Sequence, residues 1–227
     1  MAPSNVTIEF VENPSERLTE EATDIIASAM PGDPCAIALT GGNMTLLADF
    51  GRTMTRSLAL TPRVSHMFTA RDDTGALVGF TLFALPGELM FSTEEQREKG
   101  RVADYMSKLS PEGQEYFAGT MGQDVPKAND EVLGIEAAER NTYWCNLAMV
   151  RPDYQGKGIC KAMFQLAYKE AAKTGATVAL TTTNIINIPK YEGIGLDYRG
   201  ERKFPSPWGE WSLYFFARAT KEQDSLA

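Results

Sequence analysis

The chain has 227 residues, a net charge of −8, and 43% hydrophobic against 23% charged residues. This balance excludes wholesale disorder and long coiled coils, and it suits one domain with room for an insertion. The acidity lacks the basic footprint of a nucleic-acid binder, and the one histidine, His66, leaves no His pair for a metal site or a triad.

The N-terminus through Ile8 has no basic stretch leading into an apolar core, so no signal peptide is expected. Cys35, Cys145 and Cys160 are too scattered for a disulfide framework, which points to a reducing, cytoplasmic setting. Alternation over Val6 to Val11 predicts a strand. Asn13-Pro14-Ser15-Glu16 then reads as a helix start capped by Asn13, with Leu18, Ala22, Ile25, Ile26 and Ala29 on one face and Pro31-Gly32 ending it. A second helix is expected from about Asn43 to Leu60. The Asn-x-Thr triplets at Asn5 and Asn43 are read as chance. Val64 to Ala70, the turn Asp72-Asp73-Thr74-Gly75 and Ala76 to Leu85 make a hairpin, with His66 half-buried in its first strand. Even the run Ala76 to Leu85 falls short of the ~20 apolar residues that cross a membrane.

From Pro86 to Asn141 the texture becomes a helical insertion. Ser92 begins a capping-box pattern, Val102, Tyr105, Met106 and Leu109 share a face, Ser110-Pro111 restarts a helix, and residues 119–129 read as loop. Long insertions of this kind often border a binding site, and Phe91, Tyr105, Tyr116, Phe117 and Met121 are candidates to wall it. Thr142 to Val150 is a strand. A Gly-rich turn leads into a helix from Lys157 to Thr174, closed by Gly175. Ala176 to Thr182 is a strand, Asn184 to Tyr191 a short helix or turn, and Gly195 to Lys203 and Glu210 to Arg218 are the last strands. The order gives an α/β (α+β) fold, a mixed sheet flanked by helices.

The chemistry concentrates in Gln155-Gly156-Lys157-Gly158-Ile159-Cys160, between a strand and a helix. Two glycines let several backbone N–H groups turn toward one point, and the helix N-terminus adds its own, so a pyrophosphate is favoured there. The Walker spacing is absent, and a Rossmann fingerprint lacks its third glycine. A plain helix-capping turn is the bland alternative. Lys161, Gln165, Lys169 and Lys173 form a polar stripe on the helix, read as mostly solvated.

Gln-x-x-Gly-x-(Gly/Ala), preceded by an apolar strand ending Val-x-Pro, resembles the acyl-CoA pyrophosphate motif of the GNAT superfamily of N-acyltransferases. Cys160 stands where that family has Gly or Ala. Asn184, Tyr191 and Gly195-Leu196 resemble its later motif, with Leu196 in place of Phe. The resemblance implies a GNAT-like fold over residues 1–227: a mostly antiparallel central sheet, with the helical insertion 86–141 between two central strands and bordering the acceptor site. It implies acetyl-CoA (coenzyme A) as co-substrate, held by Ala148, Met149, Val150, Gln155, Gly156, Lys157, Gly158, Ile159, Cys160 and Asn184. The strand Leu147 to Val150 would splay from its neighbour beyond a bulge, with amides near Val150 polarising the acyl carbonyl. Tyr191 would be the general acid toward the thiolate, the alternative being a packing residue. A metal is not required, and acyl-cysteine chemistry lacks a His partner. Glu136, Glu139 and Asp104 are candidates for the base that no spacing separates, and a water chain to a backbone carbonyl is an equal alternative. The implied partner is a small-molecule amine, without nucleic acid or membrane; protein-lysine acetylation and a non-catalytic acyl-CoA sensor are the alternatives. The oligomeric state is not addressed by any motif.

Overall fold

The apolar runs pair into one seven-stranded sheet. In a computed structural model, which describes residues 3–220, the strands are β1 (Val6–Val11), β2 (Ser65–Asp72), β3 (Leu77–Ala84), β4 (Tyr143–Val150), β5 (Val178–Thr182), β6 (Asp197–Phe204) and β7 (Trp211–Arg218). The first two residues of the N-terminal stretch read above lie outside the described residues. The spatial order is β1-β2-β3-β4-β5-β7-β6, antiparallel except for the β4–β5 pair. Every residue of β3 is buried, which is why its sequence reads as an unbroken apolar run rather than an alternation. The β2–β3 turn is closed by Asp72, whose Oδ1 accepts from Thr74 N and Ala76 N, both at 3.0 Å.

The helices are α1 (Glu16–Ala29), α2 (Pro34–Leu39), α3 (Leu47–Ala59), α4 (Glu94–Gly100), α5 (Val102–Lys108), α6 (Pro111–Tyr116), α7 (Val125–Leu133), α8 (Ala138–Asn141), α9 (Ile159–Ala172) and α10 (Ile188–Ile194). They cover the sheet on two sides. One core packs Leu18, Ile25, Phe50, Leu58, Trp144 and Phe215; the other packs Phe68, Phe83, Tyr143, Phe164, Tyr191 and Phe216. The structure thus has the helical insertion between β3 and β4, two adjacent central strands.

Several local expectations are corrected. Ser15, not Asn13, caps α1, its Oγ accepting from Leu18 N at 3.2 Å. The unexpected α2 follows Pro31-Gly32 because Asp33 Oδ1 caps Ala36 N at 3.0 Å and Pro34 fills the first helical position. The helix expected from Asn43 opens as a 3-10 turn, with Asn43 itself capping Thr45 N. Thr93, rather than Ser92, caps α4. Residues 119–129 are not loop: a wide π-helical stretch, Phe117–Asp124, runs into α7. Burial of Thr120, Val125 and Ala128 there outweighs a helix penalty of ~1 kcal/mol for each glycine. The insertion is anchored by Tyr105, whose buried hydroxyl donates to Leu39 O at 2.7 Å, and by Trp211 Nε1 donating to Tyr116 Oη at 2.6 Å.

Candidate active site

The central strand is where the sheet comes apart. β4 pairs with β5 only through Tyr143–Cys145 against Val178–Leu180, although it follows β3 from Trp144 to Val150. Opposite the break, the β3–β4 register slips between Leu82 and Phe83, so Asn146 is an extra, bulged residue. Arg151 N donates to Val78 O at 2.9 Å. Strand alternation therefore turns the amides of Ala148 and Val150 the other way, into the gap. Gln155 Nε2 donates to Val150 O at 3.1 Å, which fixes the strand's end against the following turn.

That turn bends through two left-handed residues, Gly156 at φ 74° and Gly158 at φ 76°. Gly158 is the N-cap of α9 and supplies no side-chain acceptor, so the helix begins at Ile159 rather than Lys157. Among the described residues, none of the backbone amides of 156–161 donates a hydrogen bond. A row of unspent donors at a helix N-terminus is suited to an anion such as a pyrophosphate. Lys161 and Lys190 line the same space; their ammonium groups rest on Gly193 O and Asn187 Oδ1, both at 3.0 Å.

Gap and turn open into one cleft of about 680 Å³. Of the residues implied by the sequence, Ala148, Met149, Val150, Gln155, Gly156, Gly158, Ile159, Cys160, Asn184 and Tyr191 all line it. Lys157 stands apart, its ammonium 4.4 Å above the ring of Tyr154. Asn184 Oδ1 is occupied in capping Ile186 N at 3.1 Å, which leaves its amide donor for a ligand.

Tyr191 lies in the first turns of α10, with its ring 6.0 Å from Phe164 and 5.3 Å from Phe216. Its hydroxyl has no hydrogen-bond partner among the described residues. Burial, then the neighbouring Cys160 and Cys145, push its pKa well above the ordinary 10, so the phenol keeps its proton at neutral pH. Cys160 is also pushed up by burial, to about 12, and Cys145 is raised in the same way, which leaves both as thiols rather than nucleophilic thiolates. His66 lies outside the cleft lining, half-buried, its Nδ1 2.9 Å from Tyr143 Oη.

The cleft lining also holds four methionines, Met30, Met54, Met90 and Met121, and two carboxylates, Asp33 and Glu139. Of the residues expected to wall the acceptor side, only Met121 reaches the cleft. Tyr105 and Tyr116 spend their hydroxyls anchoring the insertion, Phe117 packs against the core, and Phe91 stays outside the lining. Among the three acidic candidates, Glu136 is exposed and Asp104 is tied to Arg101 at 2.6 Å, whereas Glu139 lines the cleft. Asn129, Asn146 and Lys190 were not singled out from the sequence. Among the described residues, no group of three His, Cys, Asp or Glu side chains is placed to hold a metal ion.

The sequence model of the Acetyltransferase (GNAT) family matches residues 45–195. Solved structures share the fold at low identity. The ribosomal-protein-S18-alanine N-acetyltransferase from Escherichia coli is 14% identical, with 98% of each chain covered and a TM-score of 0.51. Arylalkylamine N-acetyltransferase 2 from Aedes aegypti is 14% identical, with 95% of this chain and 99% of that one covered and a TM-score of 0.59. The mosquito arylalkylamine N-acetyltransferase like 5b is 12% identical over 94% of this chain and 100% of its own, with a TM-score of 0.60. No curated protein sequence matches the chain.

Proposed function

The chain belongs to the GNAT acetyltransferase family and is an acyl-CoA-dependent acetyltransferase; from that premise we propose that it acetylates the amine of a small molecule by direct attack on acetyl-CoA in a ternary complex. The observation that carries this reading is the convergence, in one cleft, of the free amides of 156–161, the open edge of β4 and the protonated Tyr191. The amides and Lys161 take the pyrophosphate, while Asn184 and the β4 edge hold the arm that follows it. The Val150 amide faces the acyl oxygen and stabilises the negative charge that develops there.

The amine nitrogen bonds to the acyl carbon, the carbon–sulfur bond breaks, and Tyr191 gives its proton to the departing thiolate. Tyr191 recovers a proton from solvent, and the amine's surplus proton leaves by a route taken up below. The three free cysteines fit a reducing, cytoplasmic setting. Carboxylates in the cleft lining, Asp33 and Glu139, favour a cationic amine. The test is thiol release from acetyl-CoA across a panel of arylalkylamines, alkylamines, polyamines, amino acids and aminoglycosides, with CoA affinity measured by calorimetry. Release with a small amine supports the reading. CoA binding without release on any amine would mark a sensor, and label transfer only to a protein would mark a protein acetyltransferase.

A further inference from the structure

We propose that Glu139, braced by Asn129, receives the amine end of the acceptor, and that the methionine wall beside it selects a primary monoamine carried on an apolar body. The inference rests on the acetyltransfer reading above and adds to it the residue and the substrate class.

Asn129 is fully buried in α7, and its Nδ2 donates to Glu139 Oε1 at 2.6 Å; its own Oδ1 has no partner among the described residues. Both residues line the cleft; Glu139 has one oxygen bonded to Asn129 and the other without a hydrogen bond among the described residues. A buried acceptor without a donor is destabilising unless a ligand supplies one. An ammonium is a donor-only group that meets this need.

Of the two carboxylates in the lining, Glu139 is the one with an oxygen that accepts no hydrogen bond among the described residues. Asp33 is the other carboxylate in the lining, but both its oxygens already accept, from Ala36 N and from Thr183 Oγ1. A polyamine or an aminoglycoside carries further donors, each of which costs ~1–3 kcal/mol where it is left unpaired against apolar lining. Met30, Met54, Met90 and Met121, together with Ile26 and Phe50, supply apolar lining to the same cleft. Thioether side chains are apolar and adaptable, and they pack well against aromatic and alkyl groups.

The charged surroundings of Glu139 are simple. From α7, Asp130 caps Ala137 N and Ala138 N, at 3.0 and 2.8 Å, and adds negative charge. Lys127 and Glu131 of the same helix face each other, with Glu131 also bound to Arg202. Arg140 of α8 is turned to Gly87 O. From β4, Tyr143 and Cys145 belong to the core on the opposite side of the sheet. Burial chiefly, with Asp130 adding to it against the Asn129 hydrogen bond, raises the Glu139 pKa from 4.5 to about 7. At neutral pH the carboxylate can therefore hold the cation, take its extra proton and pass that proton to solvent, which frees the nitrogen lone pair for attack. The second N–H proton, lost as the nitrogen–carbon bond forms, follows the same route through Glu139 to solvent.

The experiment uses Glu139→Gln, which keeps the shape and an acceptor for Asn129. Wild-type protein should acetylate phenylethylamine and hexylamine with kcat/KM at least tenfold above spermidine, lysine or kanamycin. The variant should melt no lower than wild type, keep its CoA affinity, lose at least a hundredfold in kcat/KM for phenylethylamine, and lose the acidic limb expected of the wild-type profile near pH 7. Phenylethylamine binding to the protein, followed by the fluorescence of the lining residues Trp144 and Trp211, should weaken at least tenfold, a readout independent of turnover. Retained kcat/KM with an unchanged pH profile, or a preference for the polyamine, would overturn the inference while leaving the acetyltransfer reading intact. Absence of thiol release by the wild type on every amine sinks the acetyltransfer reading instead. Should Glu139→Gln melt early, Met54→Glu supplies the second arm: a tenfold loss on hexylamine at constant CoA affinity supports the apolar wall, and no loss refutes it.

Discussion

Replacing Tyr191 with phenylalanine separates chemistry from packing unusually well at this site. The ring contacts with Phe164 and Phe216, at 6.0 and 5.3 Å, are retained in the variant. The hydroxyl makes no hydrogen bond within the described residues, so its removal breaks none, and the melting temperature should stay within ~2 °C. The chemical effect is of a different order. A positioned general acid contributes ~10²- to 10⁴-fold, equivalent to ~3–5 kcal/mol of transition-state stabilisation. Thiol release at saturating acetyl-CoA should fall by that factor, with acetyl-CoA affinity by calorimetry unchanged. Because burial holds the phenol's pKa well above 10, Tyr191 itself should impose no limb on the wild-type rate below that pH. Turnover within threefold of wild type, in a variant that melts normally, would refute the proton-donor role and leave Tyr191 as packing alone.

Three further outcomes are expected. Gly158→Asp combines a strained left-handed φ of 76° with a carboxylate beside the free amides, and calorimetry should show CoA affinity reduced by at least a hundredfold. Tyr105→Phe removes the 2.7 Å bond to Leu39 O and strands that carbonyl in the core, at ~1–3 kcal/mol by denaturant titration, with the insertion loosened first. Glu139, whose folded pKa is raised from 4.5 to about 7, favours the native state when protonated. Its contribution is complete below pH 4.5 and is lost as pH rises through 7, to a ceiling of ~3 kcal/mol. Unfolding free energies at pH 5 and 8 should therefore diverge more for wild type than for Glu139→Gln; equal differences would contradict the buried, neutral carboxyl.

Much of this molecule could be read along the chain. The unbroken run in β3 is legible because that strand is covered on both faces, and the turn 155–160 because glycine spacing before a helix has few other uses. The signal for α2 was present in Asp33-Pro34, cap and first helical position together, but Pro31-Gly32 just upstream reads as a stop. Gly119, Gly122 and Pro126 read as loop, whereas the buried face of α7 makes that stretch helical; burial against distant elements has no local spelling. The same reason hid the difference between Glu139 and Glu136. Nothing in composition distinguishes them until the fold sets one beside Asn129, ten residues upstream, and leaves the other in water. The splay of β4 from β5 was an implication of family resemblance alone; its three-residue ladder is a tertiary fact.

Unpaired strand edges are ordinarily a hazard, since they offer main-chain hydrogen bonds to any other extended chain. The outer strand β6 blunts that risk with five charged residues, Asp197, Arg199, Glu201, Arg202 and Lys203. The edge that β4 exposes beyond Cys145 is placed differently: it lies in the middle of the sheet, in a cleft flanked by α9 and α10. A slender ligand bearing amide groups can still reach it and bond to it as a strand would. The feature that would invite aggregation at the rim of a sheet becomes, at its centre, a row of main-chain hydrogen-bonding groups kept for a ligand.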